Sequence, residues 1–229
     1  RLYAARFYGG GASPYSCLEA NIYALAPYAP SITRREKQLG LFPEHSATYG
    51  EIDPVGVSAG LHRAGGVGRD DVFFDLGSGL GKVTLQVYLS TNATRVVGVE
   101  LSETRHHGAT EAHGILKKRF PEAIGGREGQ VLDFVHDDVL KVNLVGATVI
   151  WMGSLAFPQQ LMASLADRIL AQVKPGCRVL TMLEFPEAAR VVGQRKLLRR
   201  DAWPTRVRWT DKEEGNRLIF YEVTARTSE

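Results

Sequence analysis

The chain has 229 residues, 44% hydrophobic and 23% charged, with a formal net charge of +3 and a pI of about 8.9. These are the proportions of an ordinary globule, enough for one α/β core with a small appendage. Two cysteines, Cys17 and Cys177, exclude a disulfide framework and a zinc site. No apolar run approaches the roughly twenty residues of a membrane span, and no signal-peptide pattern is present. The mild positive charge is compatible with nucleic acid without pointing to it. The chain begins at Arg1 rather than Met, as a trimmed or processed piece would.

Residues 1–48 read as a helical arm or lid, set apart from a core over 49–229. The arm is rich in Tyr, Ala and Gly, and Gly9-Gly10-Gly11 breaks it. Helices are expected over residues 16–25 and 31–37, the second closed by Gly40. Arg34-Arg35 there reads as a solvated face, or more sharply as a phosphate contact. A polar loop, 45–53, leads into a helix over 54–64 that Gly65-Gly66 ends.

Next comes Val72-Phe73-Phe74-Asp75-Leu76-Gly77-Ser78-Gly79-Leu80-Gly81, an apolar run into an acid and then a glycine turn. A helix over 82–89 follows. Glycine lets a ligand lie against the backbone, and the free N–H groups of a helix start favour negative charge. Residues 95–100 form a second strand ending in Glu100, roughly twenty residues past the glycines, the offset of a carboxylate that accepts from ribose hydroxyls. A dinucleotide fold favours Gly-x-Gly-x-x-Gly. Here the spacing is Gly77-x-Gly79-x-Gly81 with Asp75 just ahead, so no diphosphate needs cradling and Asp75 can face an ammonium. That reads as S-adenosylmethionine, with NAD or FAD the alternative.

Ser102 caps a helix over 103–120, stopped by Pro121. A third strand, 130–135, ends in His136-Asp137-Asp138, where Asp138 either reaches an adenine amino group or caps a turn. A strand over 145–152 is apolar on both faces, and residues 153–158 lie beyond it, at the carboxyl end of the sheet where open parallel sheets bind ligands. An amphipathic helix over 159–172 and a strand over 177–183 follow. Residues 190–200 hold the densest basic cluster, a phosphate-facing patch or a solvated helix face. Residues 207–210 and 217–224 read as a closing hairpin. This alternation describes an α/β fold: a class I S-adenosylmethionine-dependent methyltransferase, with a Rossmann-like seven-stranded sheet whose last strand is antiparallel.

Absences narrow the acceptor. No Asn/Asp-Pro-Pro-Tyr follows the fourth strand, which disfavours methylation of nucleobases. No glutamate lies between Trp151 and Leu183, where arginine methyltransferases hold a guanidinium. Neither cysteine is placed for catalysis.

Tyr49-Gly50-Glu51, Phe74-Asp75-Leu76-Gly77-Ser78-Gly79-Leu80-Gly81-Lys82-Val83-Thr84-Leu85-Gln86-Val87 and Gly98-Val99-Glu100 resemble the disruptor-of-telomeric-silencing family, the non-SET histone lysine methyltransferases. Val149-Ile150-Trp151, Leu155-Ala156-Phe157, Trp209-Thr210 and Phe220-Tyr221 extend the resemblance. It implies a nuclear chromatin regulator that methylates a lysine of histone H3 in the nucleosome. It implies S-adenosylmethionine as donor, S-adenosylhomocysteine as product and no metal. Carried over by residue, Tyr49, Glu51, Asp75, Gly77, Ser78, Gly79, Lys82, Glu100, Asp138 and Gly153 would hold the cofactor. Tyr49, Ser154, Phe157, Phe220 and Tyr221 would form the catalytic side, with Phe157 and Phe220 or Tyr221 walling a lysine channel. Arg195, Lys196, Arg199 and Arg200 would meet DNA phosphates. The chain departs from the family at Gly153-Ser154 (an Asn-Asn there), Ile52 (Thr), Lys82 (Gln) and Phe220 (Tyr). A non-histone protein or small-molecule acceptor, or a nucleosome-binding module without catalysis, are the alternatives.

The chemistry asks for little acid–base machinery. A sulfonium methyl is already activated, so alignment is the main task. The lysine must arrive neutral against a reference pKa of about 10.4, and an apolar channel disfavours its charged form. Aromatic walls can hold the ammonium by cation–π contact. None of the six histidines is placed as a base.

Overall fold

A computed structural model describes residues 33–38, 50–124, 129–205, 207 and 216–225. In chain order the elements are α1 (Arg34–Gln38), α2 (Pro54–Arg63), β1 (Val72–Leu76), α3 (Lys82–Ser90), β2 (Arg95–Glu100), α4 (Glu103–Arg119), α5 (Pro121–Ile124), β3 (Val131–His136), β4 (Val149–Met152), α6 (Gln159–Gln172), β5 (Arg178–Thr181), β6 (Val191–Val192), β7 (Arg195–Pro204) and β8 (Arg217–Ala225). The strands form one sheet in the order β3-β2-β1-β4-β5-β8-β7-β6. β3 to β5 pair in parallel. β8 runs antiparallel to β5, and β7 antiparallel to β8.

Local chemistry sets the helix starts. Asp53 accepts from Val55 N at 2.8 Å ahead of Pro54, so a polar cap and a fixed φ begin α2 together. Ser102 accepts from Arg105 N at 3.2 Å and caps α4 as expected. The sheet is covered on both faces, which is why β4 is apolar throughout and β1 is apolar but for Asp75. One face packs Phe73, Trp151, Leu180 and Leu218 against α2 and α3 through Val57, Leu61, Leu85 and Leu89. The other packs Leu76, Ile150, Val179 and Tyr221 against Met162, Leu165 and Ile169 of α6. At the amino edge, Arg178 bonds Asp71 at 2.7 Å, and Thr148 donates to the same carboxylate oxygen at 2.7 Å.

The sheet corrects three expectations. Among the described residues it has eight strands, because β6 adds a two-residue edge. The fourth strand begins at Val149: Gly146 turns with φ 89° and Ala147 N bonds Leu144 O, leaving Val145 exposed before the strand. The closing hairpin joins β7 to β8 instead of starting at residue 207. Val207 makes only an isolated bridge to Ile52, and residues 208–215 lie outside the described ones. The basic cluster is therefore strand, not helix. Its buried positions, Leu197 and Trp203, are broken in phase by a bulge between Arg199 and Asp201, which hides the two-residue period. Of the arm, only residues 33–38 are described.

Candidate active site

The sheet order reverses between β1 and β4, which opens a crevice at their carboxyl ends. The glycine turn fills one side of it. Gly77 N and Ser78 N both donate to Val99 O at 2.9 Å, tying the turn to β2. Gly77 has φ 83°, and a Cβ there would lie 3.0 Å from Phe157 Cζ. Glycine is thus required twice, by the backbone and by the ring lying against it. Gly98 in β2 allows a second close approach: its Cβ would meet Thr84 Oγ1 at 2.7 Å and Ser78 Oγ at 3.0 Å.

Two acids meet behind this turn. Asp75 is buried and accepts from Thr84 Oγ1 at 2.9 Å. Burial pushes its carboxyl up to about 7; the Thr84 hydroxyl pulls the other way, and the Glu100 charge adds to the rise. Glu100, also buried, accepts from Gly79 N at 2.7 Å and from Ser102 N at 2.8 Å. Ser78 Oγ is buried there with no hydrogen-bond partner among the described residues.

One face of α3 holds the start of α2 and the segment that precedes it. Lys82, nearly buried at the start of α3, pairs with Glu51 at 2.5 Å. One turn on, Gln86 donates to Pro54 O and Ser58 Oγ, each at 2.9 Å. Tyr49, expected to hold the cofactor and to form part of the catalytic side, lies outside the described residues. Asp138 sits past β3, half-buried, and accepts from Leu140 N at 2.9 Å. One of its oxygens therefore caps the turn.

Beyond β4, Gly153 is exposed with open space where a Cβ would be, and Ser154–Ala156 form a 3-10 turn. Ser154 is buried. Its Oγ accepts from Met182 N at 3.1 Å and Leu183 N at 3.0 Å and lies 2.7 Å from Thr181 Oγ1. Its hydroxyl is spent on locking β4 to β5, which is a structural task. The aromatic pair divides as well. Successive residues of a strand face opposite sides, so Phe220 lies on the face of Trp151 and Leu180, while Tyr221 packs edge-on to Phe185 at 5.2 Å. Phe220 pairs with Leu180, three strands along from Asp75, roughly 14 Å at the usual strand spacing. The structure brings Phe157 to the glycine turn and leaves Tyr221 buried in the core on the face opposite Phe220. One channel cannot take both Phe220 and Tyr221 as neighbouring walls.

The basic cluster is internally paired. Arg195 donates to Leu170 O at 3.0 Å and Val173 O at 2.5 Å, capping the end of α6. Arg199 pairs with Glu184 at 2.7 Å and Arg200 with Glu222 at 2.8 Å. Lys196 is half-buried in the same strand. Cys177 is buried, and burial pushes its thiol up to about 12, which fits an inert packing group.

Three residues escaped the sequence reading: Thr84, Gln86 and Glu36. The first two are polar positions in the otherwise apolar run of α3. Glu36 sits in Thr33-Arg34-Arg35-Glu36, a capping-box pattern overlooked beside the arginine pair, which is exposed.

A parallel sheet reversing at β1 and β4, an antiparallel strand inserted beside β5, a glycine turn after β1 and an acid ending β2 define a class I S-adenosylmethionine-dependent methyltransferase fold. Solved structures share it. An RNA methyltransferase from Salinibacter ruber, in complex with S-adenosyl-L-homocysteine, is 21% identical at a TM-score of 0.50, covering 76% of this chain and 93% of its own. A putative RNA methyltransferase from Pyrococcus horikoshii is 15% identical at 0.55, covering 91% and 98%. Within that class the chain belongs to the histone methylation protein DOT1 family, whose model matches residues 28–200. A histone-lysine N-methyltransferase, H3 lysine-79 specific, of Caenorhabditis elegans is 31% identical over 144 residues. That match covers 61% of this chain but only 15% of the relative's length.

Proposed function

We propose that the chain is the catalytic part of an S-adenosylmethionine-dependent protein-lysine methyltransferase acting on histone H3 in nucleosomes, and so a nuclear protein. The observation that carries the reading is the pair of buried acids, Asp75 and Glu100, behind a glycine turn on which Phe157 packs. The donor set fits the cofactor. Asp75 offers a carboxylate to an ammonium; burial and the nearby Glu100 charge hold its carboxyl up, and a cation beside it would lower it. Glu100, anchored by two backbone N–H groups, offers its remaining lone pairs to ribose hydroxyls. The unpartnered Ser78 hydroxyl and the open side of Gly153 leave polar capacity and room beside them. Lys82 and Glu51 hold the preceding segment against α3, and Asp138 would serve the adenine edge with the oxygen its turn does not use.

When bound, S-adenosylmethionine supplies an activated methyl, leaving S-adenosylhomocysteine. The protein's own residues align the acceptor and exclude water. Phe157 and the exposed Leu155 beside it would form an apolar entry that favours the neutral lysine amine. No side-chain base is assigned.

Contact with DNA phosphates through Arg195, Lys196, Arg199 and Arg200 belongs to the same reading. It requires Arg199 and Arg200 to exchange Glu184 and Glu222 for phosphate. A second reading, another protein or a small molecule as acceptor, is favoured by one observation: Ser154, where the family carries asparagine, is locked into the β4–β5 junction.

The test is incubation with methyl-labelled S-adenosylmethionine and, separately, nucleosomes, free histones and small amines. Label on nucleosomal H3 that disappears in Glu100→Ala supports the first reading. Label only on another acceptor supports the second, and cofactor binding without transfer to any acceptor overturns the enzyme assignment.

A further inference from the structure

The short helix α1 carries a buried carboxylate that reaches the far side of the cofactor site. Glu36 closes a reciprocal capping box on its own helix: Glu36 N donates to Thr33 Oγ1 at 3.2 Å, and Thr33 N donates to Glu36 Oε2 at 2.6 Å. The same carboxylate sits at the start of α4. Ser102 Oγ donates to Oε1 at 2.6 Å, Thr104 N to Oε1 at 3.3 Å, and Thr104 Oγ1 to Oε2 at 2.8 Å. An anion at a helix N-terminus is favoured by the free N–H groups and the dipole. Burial alone would raise its pKa, but the hydrogen bonds from Ser102, Thr33 and Thr104 hold it down at about 2, so it is ionised at working pH.

The contacts continue inward. Ser102 N donates to Glu100 Oε1 at 2.8 Å, and Glu100 Oε2 accepts from Gly79 N at 2.7 Å. A continuous path therefore runs from α1 through Ser102 to Glu100 and into the glycine turn. Ser102 holds both ends, its hydroxyl on Glu36 and its amide on Glu100. Fixing the hydroxyl fixes the residue whose N–H aims the Glu100 carboxylate.

We infer that Glu36 is a positioning residue for the cofactor site, acting through Ser102 on Glu100. The inference rests on the reading that Glu100 holds the ribose. It makes the arm a working part of the site, since Glu36 is the one described arm residue that the core encloses.

Calorimetric titration of S-adenosylhomocysteine into the whole chain tests it, alongside the KM for S-adenosylmethionine and kcat on nucleosomes. Glu36→Ala should weaken binding roughly tenfold, a usual size for coupling between groups in one network. The KM for S-adenosylmethionine should rise in step while kcat at saturation holds. Arg35→Ala, at an exposed position on the same helix, should bind as the wild type does. Combined with Glu100→Gln, Glu36→Ala should cost little beyond Glu100→Gln alone, because both act on one carboxylate. If Glu36→Ala lowers the melting temperature yet leaves affinity within about twofold of wild type, within the scatter of additivity, Glu36 is a structural staple only. Multiplying effects in the double variant would equally sink the relay. Should Glu36→Ala fail to fold, Thr104→Val removes one bond and keeps the carboxylate; a rise in dissociation constant supports the inference, and an unchanged one refutes it. A wild-type chain that binds no S-adenosylhomocysteine defeats the cofactor reading itself, and this inference with it.

Discussion

Asp75→Asn should stabilise the ligand-free protein, and by an amount that depends on pH. The carboxyl is buried and carries a pKa of about 7 against an ordinary value of 3.8. A folded-state pKa above the unfolded value means that the folded state holds the proton more tightly. The associated stability is complete below about pH 4 and is lost as pH rises through 7. Moving a carboxyl that far penalises its ionised form by on the order of 4 kcal/mol. Asparagine keeps the size and still accepts from Thr84, but never ionises. Below about pH 4 the two proteins should melt alike; at pH 8 the variant should melt higher, by roughly 8 to 16 °C if each kcal/mol moves a domain of this size by about 2–4 °C. Scanning calorimetry between about pH 4 and pH 8 measures the gap. Adding S-adenosylmethionine at pH 8 should narrow it, since a ligand ammonium beside Asp75 restores the wild type only. Melting curves of the two proteins that stay parallel across this range would refute the argument, because no raised carboxyl would then be paying for ionisation.

Ser154→Ala should lower stability by about 2–4 kcal/mol, since it strands Met182 N and Leu183 N without an acceptor; kcat measured below the melting range should stay near wild type, and a selective loss of kcat would restore Ser154 to catalysis. Gly98→Ala drives a Cβ to 2.7 Å from Thr84 Oγ1, which should cost about 1–3 kcal/mol and weaken cofactor binding measured by titration. Lys82→Met leaves the Glu51 carboxylate without this cation, and breaking such a largely buried pair should cost about 3 kcal/mol in chemical denaturation. Reversing Arg199 and Arg200 to glutamate should shallow the salt dependence of nucleosome binding if those arginines reach phosphate, and leave it unchanged if they serve only Glu184 and Glu222.

Where periodicity and punctuation are local, the sequence is explicit. The apolar run into Asp75, the glycine turn, the Ser102 cap and the extent of α6 all depend on neighbours within a few positions, and all stand as read. What fails depends on register across the sheet. Nothing near Phe220 and Tyr221 says which strand lies alongside or how far along it they pair, so the register that sets Phe220 opposite Leu180 and Tyr221 opposite Val179 is not legible there. The partners of the basic run over 190–200 are hidden from the linear chain for a related reason. Its acid partners, Glu184 and Glu222, and the carbonyls ending α6 come from other elements, so the charge looks unmatched in the linear chain. Glu36 is the reverse case. Its capping box was legible, but its hold on Ser102, 66 positions away, was not.

The same comparison explains why the cofactor half of the site is the better defined. Asp75 and Glu100 are like charges brought together in a buried place, an arrangement folding alone disfavours. Each is compensated differently. Glu100 is satisfied by backbone N–H groups that the glycine turn and Ser102 fix in place. Asp75 has the Thr84 hydroxyl and is left with a raised pKa. That asymmetry assigns tasks: the satisfied carboxylate suits neutral hydroxyls, and the under-compensated one suits a cation. A ligand with an ammonium and a ribose answers both at once, which a dinucleotide does not. On the acceptor side no comparable imbalance exists. Ser154 is fully occupied, Gly153 is open, and Phe157 is apolar, so that half offers shape and dryness instead of an unmatched charge.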